Sequence, residues 1–257
     1  MTRPAVVVPG LIRLLRLVVP ASTLFVIGCG AASPTSPSTG GIPVTFTATS
    51  GAQVLVDSSK DGGVWWFPQS GPYDPLAYHQ GKNLADAIRA RGFTVDELPR
   101  GAAISSALLA NYRLIVRVGN CTSYSSAEIS AYQQQLSRNM TLMLLTDHMN
   151  GGCTLTDPLA LRFGGITWSG GETGTVTTFA NHPITAEMSA LQYIAGATVT
   201  SIATPSSVEL LGFIGPSQKP VMGIIKGFTA KIFFLGDSNG IQSVPQPFVN
   251  NLLAWAF

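Results

Sequence analysis

Polar clusters suited to moving protons or holding cations follow apolar runs at several points in this sequence. Asp147-His148 follows the run at 141–145 with only Thr146 between. It pairs a carboxylate with an imidazole, which suits general acid–base work or metal ligation. Asp57-Ser58 follows the run at 53–56, and Asp237-Ser238-Asn239 follows 231–235 with only Gly236 between. Asn120 and Cys121 stand just past the run at 113–118. Trp65, Trp66 and His79 lie between the first apolar run and the next helix-like segment. The two indoles either stack on a sugar ring or cover a sheet edge, and His79 either binds a ligand or packs. Plain structural roles compete with the chemical ones. Asp57 and Asp237 can cap helices, and Asp147-His148 can bond loop backbone. The three histidines lack the i, i+4 pairing of a zinc-protease helix.

These residues need elements to position them. From residue 44 onward, strand-like and helix-like segments alternate. Strands are expected at 53–56, 94–98, 113–118 and 141–145, with helices over 76–91, 105–112 and from 125 to about 138. Ser125-Ser126-Ala127-Glu128 is a capping box, and Asp157-Pro158 starts another short helix. Further strands are expected at 208–213, 221–225 and 231–235, after a less regular stretch with Gly-rich turns at Gly164-Gly165 and Gly170-Gly171. A terminal amphipathic helix spans 247–257. Strand–helix alternation implies right-handed crossovers and an α/β fold with a mainly parallel sheet, helices on both faces. In such a sheet ligands bind beyond the carboxyl ends of the strands. Asp57, Asn120, Asp147, His148 and Asp237 are therefore expected to converge on one concavity, with Trp65 and Trp66 as a wall.

Charge and targeting bound the partners. Lys and Arg number 15 against 13 Asp and Glu. Arg3, Arg13 and Arg16 fall in the first 28 residues with no acid among them, leaving 12 against 13. Such a near-neutral domain has no electrostatic reason to seek nucleic acid. Residues 1–28 read as a signal peptide. A basic stretch precedes a short apolar run, which ends in Val26-Ile27-Gly28-Cys29, a pattern that resembles a lipobox. A membrane-spanning helix needs about 20 unbroken apolar residues, and here arginines and Pro20 interrupt the run. Residues 29–43, rich in Ser, Pro and Gly, suit a tether. Residues 44–257 would then form one domain, exported and lipid-anchored at Cys29. In a Gram-negative host the anchor would lie in the outer membrane, facing the periplasm. Cys121 and Cys153 make an even pair, expected as a disulfide in an exported protein. Its loop would stabilise the fold by about 3–4 kcal/mol. The alternative is that one of the two is a nucleophile.

A family resemblance runs through Gly63-Val64-Trp65-Trp66-Phe67-Pro68-Gln69, His79-Gln80-Gly81-Lys82, Leu145-Thr146-Asp147-His148, Asn181-His182-Pro183-Ile184-Thr185 and Leu235-Gly236-Asp237-Ser238. In that order the segments resemble the flavodoxin-like fold of the class I glutamine amidotransferase-like group. The resemblance is greatest to domains of unknown function that lack its Cys-His-Glu triad. The family's nucleophile elbow corresponds to residues 145–151, where there is no Cys. Its His-x-Glu pair is replaced by Gly236-Asp237-Ser238-Asn239, and Cys121 follows the wrong strand. Glutamine hydrolysis is thus not implied. Two functions remain in view. One is a membrane-anchored domain that binds an envelope glycan, peptide or protein. The other is a hydrolase of an envelope glycan or peptide, using Asp147, His148 and Asp237 around water or a metal. No cofactor is implied beyond a divalent metal.

Overall fold

The computed structural model describes residues 46–60, 82–119, 122–147, 157–238, 241 and 246–257. All lie in one unit of the chain, Gly41–Phe257. The strands are β1 (Val54–Asp57), β2 (Val95–Leu98), β3 (Leu114–Val118), β4 (Thr141–Leu145), β5 (Ile166–Phe179), β6 (Leu191–Ile202), β7 (Val208–Ile214), β8 (Lys219–Ile225) and β9 (Lys231–Leu235). The helices are α1 (Lys82–Arg89), α2 (Ser106–Leu109), α3 (Ser126–Gln135), α4 (Pro158–Gly164) and α5 (Gln246–Ala256).

One sheet of nine strands runs in the order β2-β1-β3-β4-β9-β8-β7-β5-β6. Strands β2, β1, β3, β4 and β9 are parallel. From β9 outward, β8, β7, β5 and β6 pair antiparallel. The sheet is therefore mixed, which corrects the expectation of a mainly parallel, flavodoxin-like one. The difference lies in the second half. Strands β5 and β6, of 14 and 12 residues, form a long hairpin where Gly-rich turns were expected. Gly170-Gly171 lies inside β5, where the pairing with β6 shifts register. Glycine within a strand marks such irregularity, and it hid the strand's alternation.

The local signals have physical counterparts. Ser125 and Glu128 exchange both bonds of a capping box at the start of α3. Asp157 caps α4, with Pro158 in its first turn. In the parallel half, side chains alternate between two cores. Val54, Val56, Val116, Met143, Leu145, Phe233 and Leu235 pack with α1 and α5. Leu55, Ile115, Leu142, Leu144, Ile232 and Phe234 pack with α2, α3 and α4. Continued past the strand ends, the same alternation decides on which face each polar residue arrives.

Candidate functional site

Two buried polar groups occupy the carboxyl ends of the parallel strands. The first lies on the face covered by α3 and α4. Arg117, fourth residue of β3, is fully buried, a position that costs several kcal/mol unless the guanidinium is paired and hydrogen-bonded. Its Nη1 donates to the carbonyls of Gly119 (3.1 Å) and Leu145 (3.2 Å). Its Nη2 donates to Asp157 Oδ2. Gly119 takes φ +66°, a conformation that favours glycine. Asp157 also accepts from Thr146 Oγ1 at 2.8 Å and, through Oδ1, from the Leu159 and Ala160 amides at 3.0 Å each. One carboxylate thus caps α4, neutralises a buried cation and ties down the end of β4.

Asp57, the last residue of β1, belongs to the same group. It accepts from the Ser59 amide at 2.8 Å and from the Tyr132 hydroxyl of α3. Tyr132 meets Tyr124 edge to face, ring centroids 6.2 Å apart. Lys60 Nζ stands 5.3 Å from the Tyr124 ring centroid and pairs with Glu128 at 2.7 Å. Burial, and then the charge of Asp57, push the Tyr124 and Tyr132 phenols well above their usual range. Both stay protonated and able to donate. Burial alone pulls Arg117 down, and Tyr124, Tyr132 and Asp57 oppose it. For Glu128, burial works against ionisation, but bonds from Lys60 and Ser125 outweigh it and hold the carboxyl below its usual value.

The second group lies by the other core, beside Tyr193 of β6. Ser238 Oγ donates to Asp147 Oδ2, and the Ile194 amide donates to Asp237 Oδ2 at 2.7 Å. Asp147 is 6% exposed, and Asp237 and Ser238 are fully buried. Burial, then the charges of Asp237 and Asp147, push the Tyr193 phenol far up. Its hydroxyl donates to the Ala197 carbonyl. Strand β6 crosses close over the end of β9, where the Ala197 amide bonds the Gly236 carbonyl at 2.7 Å. A Cβ on Gly236 would stand 2.1 Å from the Ala197 oxygen, and one on Gly196 would stand 2.5 Å from Asp237 Cβ. Both glycines permit a backbone approach that any side chain would prevent.

The expected single concavity therefore divides. Asp147, Ser238 and Asp237 come together, whereas Asp57 joins Arg117 and Asp157 beside the opposite core. Ser58 turns to neither group, since its hydroxyl donates to the Leu98 carbonyl of β2 at 2.6 Å. Cys29, Trp65, Trp66, His79, Asn120, Cys121, His148, Cys153 and Asn239 lie outside the described residues, and with them the disulfide pairing. Among the described residues, no cluster of three or more Asp, Glu, His or Cys side chains is placed to hold a metal ion. Sequence reasoning missed Arg117, Tyr124, Tyr132 and Tyr193. A charge inside the apolar run Leu114-Ile115-Val116-Arg117-Val118 was the available signal, because a buried cation demands partners.

No family model matches this chain, and no curated protein matches it. Solved structures do. The mmIFT52 N-terminal domain superposes with a TM-score of 0.58 at 16% identity, covering 80% of this chain and 97% of that one. A ThuA-like protein from Bacteroides uniformis gives 0.54 at 14%, covering 84% and 95%. A β-galactosidase from Bacillus circulans sp. alkalophilus gives 0.54 at 13%, covering 80% of this chain and 30% of its own. What is shared is the fold. These neighbours, with the antiparallel half of the sheet, overturn the resemblance to the class I glutamine amidotransferase-like group. They bring no evidence for a lipoprotein either.

Proposed function

We propose that residues 44–257 form a ligand-binding domain of the cell envelope, held to a membrane through Cys29, that does not hydrolyse what it binds. One observation carries the non-catalytic part: each described acid at the carboxyl edge is already engaged. Asp57 is held by an amide and a phenol, Asp157 by two amides, a guanidinium and a hydroxyl, and Asp237 by an amide. Asp147 is held by Ser238. A general acid or base must reach the proton that it transfers, and the bonds described for these carboxylates brace the strand ends. The location rests on the sequence, on Gly28-Cys29 and the Ser/Pro/Gly-rich stretch after it. A glycan is the first ligand class to test, because Trp65-Trp66 follows β1 in the chain and indole faces suit sugar rings.

Hydrolysis of an envelope glycan or peptide is the second reading. The Ser238–Asp147 contact favours it, since a carboxylate accepting from a serine hydroxyl is the arrangement that activates a nucleophile. One experiment separates the two. The purified full chain is incubated with peptidoglycan sacculi, sedimented, and the supernatant assayed for new reducing ends and amines. Saturable co-sedimentation without released product is the expected result. Product release that vanishes in Asp147→Asn would replace the binding reading with the hydrolase.

A further inference from the structure

A cavity of about 440 Å³ is lined by Pro183, Ala186, Lys231, Asn251, Ala254 and Trp255, all of them among the described residues. Lys231 opens β9, and Asn251, Ala254 and Trp255 belong to the C-terminal half of α5. Pro183 begins the 3-10 turn Pro183–Thr185, and Ala186 follows it. The cavity therefore sits at the amino edge of the parallel strands, away from the two buried polar groups. Its volume is within the range of about 300–1,000 Å³ typical of small-molecule sites.

Both polar side chains of the lining are held in place by backbone. Lys231 Nζ donates to the Trp255 carbonyl at 2.5 Å and stands 5.7 Å from the centroid of the Trp255 ring. Asn251 Nδ2 donates to the carbonyls of Ile184 and Ala186, at 3.2 and 2.6 Å. The indole also meets His182 edge to face, ring centroids 6.0 Å apart. Groups fixed before a ligand arrives need little ordering when it binds.

The lining narrows the ligand. With its amide hydrogens directed to two carbonyls, Asn251 offers only an acceptor oxygen, whereas the Lys231 ammonium only donates. A ligand that uses both must accept and donate, as hydroxyls do. Trp255, Pro183, Ala186 and Ala254 add apolar walls, which suit the C–H faces of a sugar ring. A bare anion is not favoured, because Lys231 is set against the negative C-terminal end of α5. A fatty chain would use neither polar group.

We infer that this cavity is a binding site for a neutral sugar residue, with Lys231 and Asn251 bonding its hydroxyls and Trp255 packing on its ring. This deepens the glycan-binding reading, on which it rests for the class of ligand, and puts a contact at the amino edge of the sheet.

The test titrates the purified full chain, Ala254→Phe and Lys231→Gln with glucose, galactose and N-acetylglucosamine, and separately with acetate and inorganic phosphate. Ala254 is exposed, so a phenyl ring there fills the cavity without entering a core. The expected result is saturable binding of a neutral sugar, lost in Ala254→Phe with the melting temperature kept. In Lys231→Gln the same sugar should bind about tenfold more weakly. Where Ala254→Phe lowers the melting temperature, Lys231→Gln decides. Unchanged affinity in Lys231→Gln or in a stable Ala254→Phe overturns the site, as does binding of the anions in place of sugars, or of no sugar at all. Sacculus co-sedimentation keeps the two proposals apart. If the unaltered chain does not sediment, envelope binding falls, and the sugar titration still decides this site. If it sediments but binds no sugar, envelope binding stands and this site falls.

Discussion

Arg117 and Asp157 form a wholly buried ion pair that joins the carboxyl-terminal part of β3 to the N-cap of α4. Forty residues apart in sequence, they meet because β3 and β4 are neighbouring parallel strands and α4 begins beyond the end of β4. The pair fastens a helix to the edge where the parallel strands end.

Removing one partner leaves a buried charge alone. Arg117→Met should destabilise the fold by about 3–5 kcal/mol, read as a fall in the urea midpoint. Arg117→Met combined with Asp157→Asn removes both charges and keeps a capping oxygen on α4. The double variant should lose less than Arg117→Met alone. A larger loss would show that the bonds from Thr146 and the α4 amides to Asp157 outweigh its pairing with Arg117.

Gly236→Ala should cost about 1–3 kcal/mol or more, because its Cβ would meet backbone of β6, which cannot swing aside. Thermal unfolding would measure this. An unchanged melting temperature would mean that β6 does not lie over the end of β9.

Asp147 and Ser238 should be energetically coupled. A double-mutant cycle with Asp147→Asn and Ser238→Ala should return about 1.5–3 kcal/mol, the range for hydrogen bonds to charged groups. Additive losses would count against the contact.

Acid should weaken the fold through His182. Burial lowers the pKa of His182 from its usual 6.5, and its Nδ1 accepts from the Ile184 amide at 3.1 Å. Below about pH 6.5 the unfolded chain takes up a proton that the folded chain refuses. Stability therefore falls as pH drops from 6.5 towards the folded value. His182→Asn keeps a capping oxygen but does not titrate, and should flatten that slope in unfolding curves between pH 5 and 7.5. A slope equal to that of the unaltered chain would remove His182 as its source.

Cys29→Ala should abolish labelling by a fatty-acid analogue and release the protein from the membrane fraction. Label that persists would place the attachment elsewhere or nowhere.

Several features were legible because they depend on neighbouring residues alone. Short apolar runs at 53–56, 113–118 and 141–145 became buried strands, since four or five consecutive apolar residues must be covered on both faces. The Ser125–Glu128 box and the Asp157-Pro158 start are local hydrogen-bond chemistry, complete within four residues. The positions of Asp57, Asp147 and Asp237 near strand ends followed from the runs at 53–56, 141–145 and 231–235.

Tertiary structure decided the rest. Strand direction beyond β9 is set by pairing between segments far apart, and the β5–β6 hairpin carries too much Gly and Thr to show an alternating face. The division of the acids into two groups follows from side-chain parity at the strand ends. Asp57 and Arg117 share the face of Leu55 and Ile115, whereas Asp147 and Asp237 fall beside Tyr193 and the opposite core. A single residue of register separates those faces, and three-dimensional pairing alone fixes it. Arg117 shows the limit most plainly. Its charge in a buried strand announces a need for partners, but Asp157, Gly119 and Leu145 become those partners only when β3, β4 and α4 pack together.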